Sequence, residues 1–104
     1  MQHQTIRMYL GHDSKRERTV SENNLRGFLV TVSGSFPGFT VYKSFGYWEG
    51  NAEPCTVVEI MSDAELALPM VRSLARSYAR LFEQDCVMVT SSLATDGPEF
   101  VGAE

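Results

Sequence analysis

The spacing of apolar residues in this chain switches between every second residue and every third or fourth, and the order of the switches leaves few folds open. Residues 4–10 read as a strand, with Ile6, Met8 and Leu10 alternating against Arg7 and Tyr9. Residues 11–20 form a charged loop with His12, Asp13, Lys15, Arg16, Glu17 and Arg18. Ser21 suits a helix N-cap and Glu22 the positive end of the helix. Leu25, Phe28, Leu29 and Val32 then fall on one helical stripe, which Gly34 and Pro37-Gly38 bring to an end. Residues 39–48 are aromatic and β-branched and make a second strand. A turn at Gly50-Asn51 joins it to a third strand over 55–61, and the two form a hairpin. Ser62 and Glu65 fit a capping box, with Pro69 opening the main part of a second helix after one loose turn. Val71, Leu74, Ala75, Tyr78, Leu81 and Phe82 line one face of that helix. Residues 86–91 make a fourth strand, and 93–104 an irregular tail in which Phe100 and Val101 can dock.

The order β-α-β-β-α-β is that of the ferredoxin-like split fold. It predicts one α+β domain over residues 1–104, with both helices on one face of a four-stranded antiparallel sheet and the first strand between the third and fourth. The chain has 104 residues, 43% hydrophobic and 21% charged, which suits a single core. Cys55 and Cys86 then fall on strands that are not neighbours, so no disulfide is expected between them. The third and fourth strands are apolar on both sides, whereas a sheet with one wet face should alternate. A second copy of the chain covering the bare face is the favoured explanation; the alternative is that the tail covers it.

Several classes of partner are disfavoured. The net charge of −4 leaves little to neutralise phosphates, so nucleic acid is not expected. No apolar run reaches the roughly 18 residues of a membrane span, and the polar start is followed by no signal-type segment, so a cytoplasmic protein is expected. Two cysteines and two histidines do not make a zinc set, and no metal or cofactor is expected.

Strand polarity gathers one rim of the sheet: the loop after Leu10, Tyr47, Glu53 before Pro54, and Asp85. Tyr47 and Asp85 are candidate substrate-binding residues there. Glu53 is held extended by the proline after it and can bind a cationic or hydroxyl-rich substrate, although an exposed turn glutamate is the common case. Tyr42 sits mid-strand, where packing is the usual role. With Gly50-Asn51 as the turn, Tyr42 faces Glu59 across the hairpin. Arg72, Arg76 and Arg80 can hold an anion or simply face solvent. Phe39, Phe45, Tyr47 and Trp48 can stack an adenine or pack a core or interface. No Ser-His-Asp or Cys-His set and no nucleotide-binding glycine loop is present, so an enzyme of this sequence must need little acid–base equipment.

The stretch Phe82-Glu83-Gln84-Asp85-Cys86-Val87-Met88-Val89 resembles Trp-Glu-Gln-Asp-Cys-Val-Leu-Val of the phage-encoded S-adenosylmethionine lyases, formerly called hydrolases. A weaker similarity runs from Pro37-Gly38 through Tyr47 to Thr56-Val57, with a glutamate just before the third strand. The family has two adjacent glutamates there, where this chain has Glu53-Pro54, and both the hairpin and the tail are shorter here. The resemblance implies a trimer with active sites between subunits. It implies conversion of S-adenosylmethionine to methylthioadenosine and homoserine lactone, which counters host methylation and restriction. Glu53 matches the family's active-site glutamate, and Tyr42 its tyrosine. The alternative reading is a non-catalytic ferredoxin-like module that binds a small ligand or a host protein.

Overall fold

A computed structural model describes residues 3–13, 19–94 and 97–103. Its elements are β1 (His3–Gly11), α1 (Glu22–Ser35), β2 (Thr40–Trp48), β3 (Asn51–Ser62), α2 (Ala67–Leu81) and β4 (Met88–Ala94). The strands form one antiparallel sheet in the order β2-β3-β1-β4. This is the expected ferredoxin-like α+β arrangement.

One core explains why the helices share a face. Ile6, Met8 and Leu10 of β1 are fully buried, as are Val58 and Ile60 of β3 opposite them. They pack with Leu25, Phe28 and Val32 of α1 and with Val71, Leu74, Ala75 and Tyr78 of α2. Each large side chain so buried contributes about 1.5–3 kcal/mol before entropy is set against it. Leu81, expected on this face, is exposed instead, and Phe82 one residue further on packs against the core.

The helix ends show local rules at work. Ser21 caps α1: its Oγ accepts from the Asn24 N–H at 3.0 Å, and Asn24 Oδ1 accepts from the Ser21 N–H at 3.4 Å. The Ser62–Glu65 box does not form. β3 runs on through Ser62, whose Oγ accepts from the Ala64 N–H instead. α2 starts at Ala67, which puts Pro69 in the first turn, where its missing N–H costs nothing.

The β2–β3 turn falls one residue earlier than the sequence suggests. Trp48 pairs with Asn51 around Glu49 and Gly50, both at positive φ (50° and 83°). Two positive φ values are what a tight hairpin turn needs, and glutamate is a poor choice for the first. Glu49→Asn is expected to raise stability by about 0.5–1 kcal/mol, read as a higher urea midpoint with an unchanged slope.

β1 ends at Gly11, opposite Cys55, whereas β2 and β3 continue to Trp48 and Asn51. The hairpin therefore overhangs the sheet by four residues of β3, about 13 Å. Phe45, Tyr47 and Trp48 stand on the overhang, each more than two-thirds exposed. Cys55 and Cys86 are both free thiols. No helix among the described residues is long and apolar enough to cross a membrane.

Candidate functional site

The face of the sheet away from the helices is built in rows. Register places Trp48 beside Asn51, Gly46 beside Glu53, and Ser44 beside Cys55 and Gly11. The next row is Tyr42, Val57, Tyr9 and Met88, and the one after it Thr40, Glu59, Arg7 and Thr90. Val57 is buried without joining the helix-side core, which places it under its tyrosine neighbours. Tyr42, Trp48, Met61 and Met88 remain exposed. The tail does not cover them, since Phe100 and Val101 are themselves almost fully exposed.

An ion pair sits in the middle of this face. Arg7 Nε donates to Glu59 Oε1 at 2.9 Å, and a terminal guanidinium nitrogen lies 2.7 Å from the same oxygen. Hydrogen bonding to Glu59 pushes the Arg7 pKa up, and Tyr42 adds to it. Glu59 thus faces Arg7 on β1 and Thr40 on β2. The expected opposition of Tyr42 and Glu59 does not occur, because the earlier turn puts Tyr42 across from Val57. Arg7 is a site residue that the sequence reading left as mere strand alternation. Its signal was the one guanidinium of β1 in line with Glu59 inside the apolar run of β3, visible once the β1–β3 register is known.

The four candidate site residues do not meet within one chain. Tyr42 and Glu53 share the uncovered face but are four residues apart along the hairpin register, about 13 Å. Ser44, Gly46 and Cys55 lie between them and leave a shallow, small-residue stretch. Tyr47 pairs with Ala52 and alternates onto the helix side, opposite to Glu53. Asp85 lies beyond the end of α2, beside a cleft between α2 and β4 that Arg72 and Arg76 also line. Arg72, Arg76 and Arg80 are solvent-facing.

The stretch that carries the family resemblance has a clear structural job. Phe82 N–H donates to the Tyr78 carbonyl and Gln84 N–H to the Ala79 carbonyl, with Glu83 at φ 53°, which closes α2 in a Schellman-type cap. Gln84 Nε2 then donates to the Asp13 carbonyl at 3.0 Å and ties the helix end to the β1–α1 loop. Its amide oxygen lies 2.8 Å from where a Cβ on Gly11 would be, so a larger residue there would have to displace that amide.

The same loop is held at its base. His12 O accepts from the Val20 N–H at 2.7 Å, and His12 Nε2 lies 2.7 Å from Thr56 Oγ1. Thr56 is fully buried, so the pair is an anchor and not a nucleophile with its base. Lys43 bonds Glu22 at 3.0 Å nearby and holds its carboxyl below the usual range. Lys15, Arg16, Glu17 and Arg18, the rest of the expected charged loop, lie outside the described residues. Among the described residues no three His, Cys, Asp or Glu gather as a metal set would.

A family model described as a protein of unknown function, DUF3574, matches residues 5–96. No curated protein and no solved structure matches the chain.

Proposed function

Because the chain belongs to the DUF3574 family, whose function is unknown, its activity must come from its own residues, and we propose that it degrades S-adenosylmethionine in a site formed between copies. The observation that supports this reading is that Tyr42 and Glu53 share one uncovered sheet face yet lie too far apart to hold one reacting centre within a single chain. Laying a second copy on that face supplies the missing wall and brings Glu53 of one chain toward Tyr42 of the next. A trimer closed on such contacts has one site at each interface. The resemblance of residues 82–89 to the lyases supports the choice of substrate.

The chemistry asks little of the protein. The substrate's carboxylate oxygen bonds to its own γ-carbon while the carbon–sulfur bond breaks. The electron pair goes to sulfur, which leaves as a neutral thioether, methylthioadenosine. The carboxylate is already ionised, so no general base is needed. Holding the chain folded supplies much of the acceleration, since the attack is intramolecular. Opposite charges cancel as the bond forms, so a site dried by a second subunit favours the reaction. Glu53 anchors the α-ammonium, and Tyr42 orients the folded substrate.

Incubation of the purified protein with S-adenosylmethionine, followed by mass spectrometry, tests this. Methylthioadenosine and homoserine lactone are expected in equal amounts, with no label in the nascent lactone when the reaction is run in isotopically labelled water. An incubation without methylthioadenosine rejects the reading. The exposed Phe45, Tyr47 and Trp48 on the overhang favour a second reading, a module that grips a host protein, for which a stable complex without turnover is the expected result.

A further inference from the structure

We infer that a groove at the opposite end of the sheet, where β1 and β2 begin and β3 ends, binds a small organic cation with an apolar body, such as a quaternary ammonium compound. The groove is about 530 Å³, within the usual range of small-molecule sites. Phe36, Phe39, Met61 and Phe100 give it apolar walls, and Glu59 and Asp63 bring carboxylates to it.

Charge selects the ligand. Arg7 uses only Oε1 of Glu59 for both of its contacts, which leaves Oε2 for another partner. Asp63 makes no ion pair and no side-chain hydrogen bond among the described residues. Carboxylate charge therefore exceeds what Arg7 neutralises, and an anion is repelled. A bare metal ion would gain nothing from the phenyl walls. A cation with an apolar body satisfies both, because ring faces also attract positive charge.

The tail supplies one wall by a close approach. A Cβ on Gly97 would come within 2.6 Å of the His3 ring, so a larger residue there would have to push that ring aside. Pro98 and Phe100 of the tail line the groove together with Phe39. Phe100 is 94% exposed, an apolar ring left in water beside a groove it can close over a ligand.

The groove shares Thr40, Glu59 and Met61 with the uncovered sheet face, but neither Tyr42 nor Glu53 lines it, so its test can be kept apart from that of the reaction. Its test uses phenyltrimethylammonium, which offers no carboxylate for a lyase to use. Titrated into the intact protein, the probe is expected to shift amide resonances of residues 39–40, 59–63 and 97–101 saturably. Neutral benzyl alcohol should bind at least tenfold more weakly. Asp63→Asn and Phe100→Ala should each lower probe affinity at least fivefold with melting temperature unchanged. Absence of saturation, equal binding of benzyl alcohol, shifts centred elsewhere, or full affinity in Asp63→Asn would each overturn the inference.

Discussion

Tyr78→Ala is expected to lose about 3–5 kcal/mol of stability to the emptied ring volume, and about 1–3 kcal/mol more from the Gly11 carbonyl it leaves without a donor. The sum is comparable to the whole stability of a domain this size, about 5–15 kcal/mol, so much of the variant should be unfolded at room temperature. The reason is position. Tyr78 is fully buried, its ring centroid is 5.0 Å from that of Phe28 and 4.8 Å from that of Phe82, and its hydroxyl donates to the Gly11 carbonyl at 2.6 Å. One side chain thus joins α1, α2 and the end of β1. Tyr78→Phe keeps the ring and should cost only about 1–3 kcal/mol. The share of the hydroxyl can also be read in alkali, by comparing wild type with Tyr78→Phe. Burial, with Cys55 adding to it, pushes the Tyr78 pKa up to about 12. A phenol raised in the folded state stabilises fully below its unfolded pKa of about 10, and that contribution is lost as pH rises through 12. The loss is on the order of 2–3 kcal/mol for wild type and should be missing from Tyr78→Phe. Urea melts at pH 8 and pH 11.5 measure both effects. A Tyr78→Ala protein within about 1 kcal/mol of wild type would show that the helices are joined some other way.

Glu53→Gln is expected to lower kcat/KM for S-adenosylmethionine roughly 10- to 100-fold, the cost of losing one charge-assisted hydrogen bond to the substrate. The substitution keeps size and shape at an exposed position opposite Gly46, so folding and assembly should be unchanged. Tyr42→Phe should also slow turnover, by less. The sharper result comes from mixing. If one site draws Glu53 from one copy and Tyr42 from the next, subunits of the two variants exchanged together will form some sites with both native residues. Activity then rises above that of either variant alone. Mixtures that show no recovery, although subunit exchange is proven by mass, would place both residues in the same chain's site. Unchanged turnover in Glu53→Gln would show that a different carboxylate holds the substrate, and Glu59 beside Arg7 is then the first to substitute.

The element order was legible because each switch of hydrophobic period is bounded by a residue with a physical reason to be there. Ser21 caps, Pro37-Gly38 stops, and Pro69 can stand only near a helix start. Boundaries that depend on strained or tertiary choices were not legible. Gly50-Asn51 is a better turn by composition than Glu49-Gly50, yet the sheet takes the latter and puts Glu49 in a left-handed conformation. That shift moved the partner of Tyr42 by two residues, while the Arg7–Glu59 pair depends on the separate β1–β3 register. The fourth strand starts at Met88, not at 86, because α2 needs Phe82, Glu83 and Gln84 to end. The bare sheet face was foreseen from two-sided apolar strands, but its row-by-row arrangement depends on register, which local pattern does not set across a shifted turn. Nor does chain order reveal the groove beneath the tail, since that depends on where Gly97 meets His3.

β2 is a nine-residue strand at the margin of the sheet, and hardly any of its residues is shielded on either side. Its outer row of amide and carbonyl groups is an open template that any extended polypeptide can copy. A chain caught with that margin uncovered can therefore be drawn into disorderly fibres. Fibre growth needs encounters between chains, so the hazard climbs steeply with their concentration, and slow synthesis at low concentration lessens it.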